Sequence, residues 1–301
     1  MSTPNLLIIG AGGRLGGALC RHFFQHSFRV LPWTRHELEL SALEALQEKL
    51  QTTAFDTLIN CAAFTNVDQC ESDRELAETI NALAPKIMAE ECAKKQAQCI
   101  HISTDYVFDG TQEGGYKEDD QPHPLSHYGA TKLLGERLVH EANPKAWVIR
   151  VSWVFGPDRP SFIEWILDQA LQNESVQAIG DKWSAPSYTM DLARWLQVLL
   201  EHQDGGTLHM ANSGFCSWQT YGQEMLNLAY EYGLPVKTKT VDFQTLAEMK
   251  KFVAQRPIHT GLCNEKLSSL LGHPPRTWQD ALADYFQQFI LPRFQRTGRV
   301  L

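Results

Sequence analysis

An apolar strand pattern runs directly into a glycine-rich turn near the start of the chain. The Leu-Ile-Ile run at 7–9 is followed by residues 10–16, which read GAGGRLG. Glycine at this spacing permits a tight turn and brings bare backbone N–H groups to a helix N-terminus, where a pyrophosphate binds. Because a strand pattern precedes the turn and helical and strand patterns follow it, the motif predicts a dinucleotide site. The candidate cofactor contacts in the turn are Gly10, Gly12, Gly13, Arg14, Leu15 and Gly16.

Short apolar runs alternate with amphipathic helical patterns through the first half of the chain. Predicted strands cover residues 6–9, 29–31, 57–60, 99–103 and 147–151. Predicted helices cover residues 15–26, 41–50, 74–95 and 128–142, with a break in the third near Asn81 or Pro85. Ser41, with Glu44 three residues later, predicts a capping box for the second helix. The alternation predicts an α/β fold with a doubly wound parallel sheet of the Rossmann type, whose ligands lie at the carboxyl ends of the strands.

The pattern changes after about residue 155. Predicted helices there cover residues 162–172, 191–201, 218–232 and 243–252, and short strands are predicted at 176–179 and 207–210. We expect residues 1–155 to form a dinucleotide-binding Rossmann domain and residues 156–301 to form a smaller C-terminal substrate-binding lobe. Because no repeat or low-complexity linker separates the two parts, we expect an interleaved boundary, with strands from both halves in the sheet.

Composition and charge narrow the range of partners. The formal net charge is −8, so the chain lacks the Lys and Arg excess that nucleic-acid binding requires. No apolar run is long enough for a membrane span, and no basic segment with a cleavage site precedes the first strand. The seven cysteines are scattered, without a C-x-x-C pair or a histidine at metal-ligand spacing. We therefore expect a cytoplasmic protein with reduced thiols, no metal site built from its cysteines and histidines, and neither nucleic acid nor membrane as a partner.

The segment after the second predicted strand lacks the acidic residue that usually binds the adenosine ribose. It reads Leu31-Pro32-Trp33-Thr34-Arg35. Arg35 is suited to bind a 2′-phosphate, which favours NADPH over NADH. The alternative, a solvated arginine on a surface loop, stays open, and so does the use of NADH.

Tyr128 and Lys132 lie four residues apart at the start of a predicted helix, so they share one face. Ketone reduction needs a proton as the hydride arrives, and a neighbouring ammonium is expected to lower the tyrosine pKa and to hold the nicotinamide ribose. Thr104 follows the strand predicted at 99–103, so its hydroxyl is expected to polarise a substrate carbonyl and to orient the phenol. A Y-x-x-x-K pair is common on helix surfaces. Together with the glycine turn, however, the three residues indicate a catalytic set of Thr104, Tyr128 and Lys132.

Four motifs together resemble the dTDP-4-dehydrorhamnose reductase family of the extended short-chain dehydrogenase/reductase superfamily. They are the turn at 10–16, NCAAFTNVD at 60–68, STDYVFDG at 103–110 and YGATKLLGE at 128–136. Further matching stretches are RVSWVFG at 150–156, Ala185-Pro186, Ser217-Trp218, Arg256-Pro257 and Lys266-Leu267. The resemblance covers nearly the whole chain. It implies NAD(P)H-dependent reduction at C4 of a nucleotide-linked 4-keto-6-deoxysugar, with the proton from Tyr128, as the last step of dTDP-L-rhamnose formation.

The resemblance also implies which residues contact the ligands. Cofactor contacts beyond the turn would come from Glu39, Leu40, Ala62, Ala63, Thr65 and Ile102, with Tyr128 and Lys132 at the nicotinamide. Substrate contacts would come from Thr104, Asp105, Tyr128, Trp153 and Arg256. Trp153 would present its ring as a flat face to the sugar, and core packing is its alternative role. A homodimer and a divalent metal ion at a subunit interface both stay open.

The chain departs from the family pattern on the substrate side. The family commonly has Asn and Ser after the Arg-Pro pair, whereas residues 258–260 read Ile-His-Thr. Ser161 stands where an asparagine usually precedes the first C-terminal helix, and residues 182–184 are bulkier than the family pattern. The cofactor and proton-transfer residues are intact, so reduction is a firmer prediction than the identity of the sugar or its nucleotide.

Two other functions stay open. An epimerase or dehydratase of the same superfamily would share the fold, but the dehydratases use a glutamate where this chain has Tyr106. A non-catalytic regulatory subunit, such as the β subunit of methionine adenosyltransferase, also resembles these reductases. Such a subunit need not keep both Tyr128 and Lys132, so their presence favours an enzyme.

Overall fold

The computed structural model describes residues 3–300, and its central element is a six-stranded sheet. Within these residues the strands are, in chain order, β1 Asn5–Ile9, β2 Arg29–Trp33, β3 Thr57–Asn60, β4 Gln98–Thr104, β5 Trp147–Val151, β6 Val154–Phe155, β7 Val176–Ile179, β8 Trp183–Ser184, β9 Ser187–Tyr188, β10 Gly206–His209, β11 Cys216–Ser217 and β12 Val241–Gln244. The helices are α1 Arg14–Phe24, α2 Leu43–Thr52, α3 Gln69–Ser72, α4 Arg74–Glu78, α5 Ala84–Lys95, α6 His127–Ala142, α7 Phe162–Gln172, α8 Thr189–Leu199, α9 Trp218–Glu231, α10 Glu265–Leu271, α11 Trp278–Tyr285 and α12 Leu291–Thr297.

The main sheet has the strand order β10-β5-β4-β3-β1-β2, and every neighbouring pair is parallel. β1 therefore lies between β2 and β3, where the winding of the chain changes direction. This doubly wound sheet confirms the predicted fold class. Because all six carboxyl ends lie at one edge, the loops after β1, β3, β4 and β5 meet there.

Strand β1 is buried on both faces, which explains its continuous apolar run. Leu6 and Ile8 pack in one core cluster with Phe23 of α1, whereas Leu7 packs in another with Met88 of α5. Successive strand side chains point to opposite faces, so the alternation sends them to these two cores. Packing on both faces fixes the orientation of β1 and so the position of the glycine-rich turn that follows it.

The second half of the chain builds a separate core that is rich in aromatic side chains. Phe155 packs against Tyr188 with a ring centroid distance of 5.2 Å, and Tyr221 and Tyr285 contact Phe155 at 5.8 Å each. Helices α7, α9 and α11 surround this cluster. The lobe covers part of the sheet edge at which the loops meet.

The two halves also share the main sheet. β10 comes from the second half and pairs with β5 along its length, from Gly206 opposite Trp147 to His209 opposite Arg150. The sheet therefore contains residues from both sides of position 155. Among residues 3–300, no helix has the length and apolar character that a membrane crossing needs.

Three local predictions are wrong. The helix predicted at 243–252 is instead the strand β12, followed by a short 3₁₀ turn at Leu246–Glu248, because β12 pairs with β7 in parallel. The Ser41 capping box does not form, since α2 begins at Leu43 and its N-terminus has no side-chain cap. The helix predicted at 74–95 continues through Asn81 and Pro85, with a π-helical turn at Thr79–Leu83.

A substitution at Gly16 tests how closely α1 packs on the glycine-rich turn. A Cβ at this position would overlap the Gly10 carbonyl oxygen and lie 2.8 Å from the Gly10 carbonyl carbon. We expect Gly16→Ala to lower the free energy of unfolding by about 1–3 kcal/mol, because overpacking forces backbone shifts. Urea unfolding measures this change.

Gly114→Ala is the matched control, because a Cβ at Gly114 would meet no heavy atom within 4 Å. Its effect on the free energy of unfolding should stay within about 0.5 kcal/mol. Equal effects of the two substitutions would show that the space beside Gly16 is not limiting.

Candidate active site

A cavity of about 890 Å³ opens at the carboxyl edge of the main sheet. Its volume lies in the range of small-molecule and cofactor sites. Most of the site residues predicted from the sequence line this cavity. They are Gly10, Gly12, Gly13, Arg14, Leu15, Arg35, Glu39, Leu40, Ala62, Ala63, Thr65, Ile102, Thr104, Asp105, Tyr128, Lys132 and Trp153. Gly16 and Arg256 lie outside the cavity wall. The structure thus brings together residues from positions 10 to 153.

The glycine-rich turn is folded against the end of β2. The backbone N–H groups of Gly10 and Ala11 donate to the Trp33 carbonyl at 2.9 and 3.0 Å. Gly10 has a φ of +83°, and a Cβ there would lie 2.8 Å from the Ala62 nitrogen. Helix α1 follows without a side-chain cap, so its first N–H groups are left for a ligand. This cradle fits the pyrophosphate of a dinucleotide.

Helix α6 positions Tyr128 and Lys132 on the opposite wall. The Ser126 hydroxyl caps the helix by accepting the Gly129 N–H at 3.2 Å, which places Tyr128 in the first turn. Gly129 packs against the Tyr106 carbonyl, where no larger residue fits. Lys132 follows one turn later and donates to the Ile102 carbonyl at 2.7 Å.

Burial controls the ionisation of both groups. It raises the pKa of Tyr128, and the neighbouring Thr104 hydroxyl only partly opposes this. The prediction that a neighbouring ammonium lowers the Tyr128 pKa is therefore wrong for this structure, in which Lys132 points to the β4 backbone. Burial lowers the pKa of Lys132 to about 8, while the negative charge of Glu136 raises it. At neutral pH the phenol keeps its proton, which is the form that a general acid needs.

Thr104 and Asp105 begin a buried hydrogen-bond network that reaches the C-terminal lobe. The Thr104 hydroxyl donates to Asp105 Oδ1 at 3.1 Å. Asp105 Oδ2 accepts from the Thr260 hydroxyl at 2.6 Å and from the Ser184 hydroxyl at 3.1 Å. Since the side chain of Asp105 is buried, these donors satisfy a carboxylate that would otherwise be costly to desolvate.

Trp153 forms a wall between two cavities. It lines the main cavity and a smaller one of about 230 Å³ whose other walls include Phe162, Trp218 and Tyr221. Its φ is +40°, a left-handed backbone conformation that is costly for a bulky residue and is found mostly at functional sites. Its indole Nε1 is buried without a hydrogen-bond partner among residues 3–300. Core packing alone does not account for these features.

Arg35 and Glu39 lie at the far end of the cavity. The Arg35 side chain is 84% exposed, and its Nε lies 3.8 Å from Glu39 Oε2. Glu37, the other acid in this segment, accepts from the Thr34 backbone N–H at 2.7 Å. This end of the cavity therefore carries a loosely held arginine beside a carboxylate.

Arg256 is held away from the cavity by Asp68. Its two terminal nitrogens donate to the two carboxylate oxygens at 2.8 and 2.7 Å. Asp68 Oδ1 also accepts from the backbone N–H groups of Val253 and Ala254 at 2.8 and 2.9 Å. The side chain of Arg256 is largely buried, so this bidentate pair anchors the 253–256 segment to the first half of the chain.

Sequence reasoning missed four residues around the site. Ser184 and Thr260 bind Asp105, and Lys182 lies fully buried beneath Tyr106, 5.1 Å from its ring centroid. These three residues lie in the stretches that depart from the family pattern, and that departure was the one sequence feature that could have identified them. Arg159 lines the cavity beside the glycine-rich turn, and no motif contains it.

The chain matches the family model described as the RmlD substrate binding domain over residues 4–291. The chain belongs to the RmlD family. This membership confirms the resemblance found from the motifs. The match includes both halves of the chain and all the cavity residues described above.

Relatives of the RmlD family support the same conclusion. The spore coat polysaccharide biosynthesis protein SpsK of Bacillus subtilis is 33% identical over 283 residues, covering 94% of this chain and 97% of that protein. A dTDP-4-dehydrorhamnose reductase structure from Clostridium acetobutylicum matches with a TM-score of 0.87 and 32% identity, covering 94% and 98%. A Bacillus anthracis dTDP-4-dehydrorhamnose reductase in complex with NADP matches with a TM-score of 0.88 and 28% identity, covering 95% and 99%.

Lys182 makes a pH-dependent contribution to stability. Burial lowers its pKa to about 8 from an ordinary value of 10.5, so the unfolded chain binds this proton more tightly than the folded protein. Between these two values the stability contributed by Lys182 rises with pH. Relative to Lys182→Met, the wild-type protein should gain about 2 kcal/mol in unfolding free energy between about pH 7 and about pH 10.

The measurement is urea unfolding of both proteins at the two pH values. Lys145→Met, at an exposed lysine, is the control and should differ from wild type by the same amount at both. A difference between wild type and Lys182→Met that does not change with pH would contradict the buried titration.

Proposed function

We propose that the chain is an NADPH-dependent reductase that converts dTDP-4-dehydrorhamnose to dTDP-L-rhamnose. One observation carries this proposal: Tyr128, Lys132 and Thr104 share a cavity with a glycine-rich dinucleotide turn. Residues 1–155 would form the cofactor domain and residues 156–301 the substrate lobe. The cysteines of the described residues are free thiols, which supports a cytoplasmic location.

The cofactor fits the residues that are present. The glycine turn leaves room for a pyrophosphate, and the uncapped start of α1 offers N–H groups to it. Ala62, Ala63 and Thr65 line the path from the turn towards Tyr128. When bound, NADPH supplies the hydride for reduction of the keto group. The NADP complex of the related Bacillus anthracis reductase supports this choice of cofactor.

The proton would come from Tyr128. Its phenol is buried and protonated at neutral pH, and it lies beside the Thr104 hydroxyl. The Thr104 oxygen is fixed by donating to Asp105 Oδ1 and accepting the Tyr106 N–H, and it would orient the Tyr128 phenol from this position. The Lys132 ammonium is fixed on the Ile102 carbonyl, where its remaining donors can hold the nicotinamide ribose.

The sugar would lie between Trp153 and the pair formed by Thr104 and Asp105. An indole face suits the apolar C–H face of a deoxysugar, and Trp153 lines the cavity. We also propose Arg256 as a substrate contact. Because it lies outside the cavity wall, its guanidinium would have to leave the ion pair with Asp68 to reach the substrate. The names of the relatives support dTDP as the carrier.

The cavity residues favour reduction over dehydration. The carboxylates among the residues that line the cavity are Glu39, at the ribose end, and Asp105, which is occupied by hydroxyl donors. Tyr106 lies where a dehydratase would have its glutamate, and its ring packs edge-on against Tyr128 at 5.7 Å. A non-catalytic subunit would not need the Tyr128, Lys132 and Thr104 arrangement.

The proposal is tested by supplying purified protein with NADPH and dTDP-4-dehydrorhamnose and following the nicotinamide absorbance. We expect one NADPH to be oxidised for each sugar reduced. Isomerisation of the sugar without net NADPH oxidation would indicate an epimerase instead. Binding of NADPH with neither reaction would favour a regulatory subunit.

Tyr128→Phe removes the proposed proton donor while keeping the ring. We expect kcat to fall by about 10²–10⁴-fold, the usual contribution of general acid catalysis, with little change in NADPH affinity. Steady-state kinetics and cofactor titration measure the two effects. Tyr230→Phe, on an exposed part of α9, is the control and should leave kcat unchanged. Retention of more than about a tenth of wild-type kcat in Tyr128→Phe would exclude this role.

Trp153→Ala tests the sugar platform. Loss of a stacking contact of about 1–1.5 kcal/mol should raise the substrate KM by about 5–10-fold, at least as much as kcat falls. Trp165→Ala, at a half-exposed position on α7, is the matched control for removing an indole. If Trp153 only fills the core, its truncation would instead lower stability by about 3–5 kcal/mol and leave KM unchanged.

A further inference from the structure

A second arginine reaches the proposed cofactor cavity from the C-terminal lobe. Arg159 lies in the loop between β6 and α7, yet it lines the cavity beside the glycine-rich turn. Its Nε donates to the Gly12 carbonyl oxygen at 2.7 Å. This hydrogen bond joins the two lobes across the mouth of the turn.

The loop that carries Arg159 is fixed from the other side by α1. Arg14 donates to the carbonyls of Arg159 and Val154 at 3.1 Å each, and also to the Pro160 carbonyl. Arg21, about two turns further along α1, forms an ion pair with Asp158, with Nη2 to Oδ2 at 2.8 Å. The backbone around Arg159 is therefore fixed by hydrogen bonds from Arg14 and by the ion pair between Arg21 and Asp158.

The guanidinium lies in the gap between the turn and the end of β2. Its Nη2 is 4.0 Å from the point that a Cβ on Gly12 would occupy. The methyl carbon of Thr34, the first residue after β2, is 3.6 Å from the same point. In this type of fold the pyrophosphate lies at the turn and the adenosine ribose at the end of the second strand. In a dinucleotide bound in this way, Arg159 would lie near the adenosine ribose.

The charge of Arg159 has no local counter-charge. Among residues 3–300, no carboxylate oxygen lies within 4.0 Å of its guanidinium, whereas Arg35 is already shared with Glu39. Burial chiefly lowers the pKa of Arg14, and the positive charge of Arg159 lowers it further. The negative charge of Glu164 opposes both effects on Arg14, so Arg159 is the guanidinium of the two whose charge a bound anion would offset.

We infer that Arg159 binds the 2′-phosphate of NADPH, with Arg35 on the opposite side of the ribose. The inference rests on the proposed function only in taking the cavity as a dinucleotide site. Both arginines are exposed, but Arg159 carries the larger share because its loop is fixed by Arg14 and Arg21 and its Nε donates to the Gly12 carbonyl, whereas Arg35 contacts Glu39 at 3.8 Å. A residue of the substrate lobe then selects the cofactor.

Isothermal titration of NADP⁺, NAD⁺, 2′,5′-ADP and 5′-AMP tests this assignment. We expect Arg159→Gln to raise the Kd of NADP⁺ and of 2′,5′-ADP by about 10-fold or more, the value of a charged hydrogen bond. The Kd of NAD⁺ and of 5′-AMP should change less than about 2-fold. Arg159→Lys keeps the charge and should recover part of the affinity. Arg35→Gln should have a smaller effect than Arg159→Gln.

Arg29→Gln is the control, because Arg29 is an exposed arginine at the opposite end of β2. It should leave all four affinities unchanged. An equal loss of NADP⁺ and NAD⁺ affinity in Arg159→Gln, or no loss of either, would overturn the inference. Because binding is measured without a sugar, a protein that binds NADP⁺ but reduces no keto sugar would contradict the proposed function and still test Arg159.

Discussion

The carboxylate of Asp105 is the interaction on which the candidate site depends. It accepts hydrogen bonds from Thr104 beside it and from Ser184 and Thr260, which lie 79 and 155 positions further along the chain. A buried carboxylate is tolerated only when its oxygens are paired. The two lobes must therefore meet before Asp105 is satisfied, and Asp105 in turn fixes the Thr104 hydroxyl that donates to it beside Tyr128.

Features that depend on neighbours in sequence could be predicted. The run into Gly10 and the spacing of Tyr128 and Lys132 each express a constraint within a few residues, so the sheet, the turn and one wall of the cavity were found from the sequence. The partners of Asp105, the pair between Arg256 and Asp68, and the contact of Arg159 with Gly12 join residues far apart in the chain. No local pattern indicates such pairs, so only the structure identifies them.

The predictions that failed did so for physical reasons of the same kind. The sequence at 243–252 has helical spacing, but a short helix exposed to solvent is only marginally stable. Pairing of β12 with β7 satisfies the same backbone groups within a sheet. The expectation for the Tyr128 pKa considered the nearby cation and left out desolvation, which is the larger effect in this structure. Tertiary context decided both outcomes.

Because β10 lies far along the chain from its partner β5, the order of synthesis affects how the sheet folds on the ribosome. β5 is complete at Val151, but its partner strand is not synthesised until Gly206 has been added. During that interval the nascent sheet has an open edge at β5, and exposed edges are templates for pairing with other chains. The first 155 residues are thus an incomplete folding unit, and chaperone binding or misassembly would concentrate at this edge until the C-terminal lobe closes it.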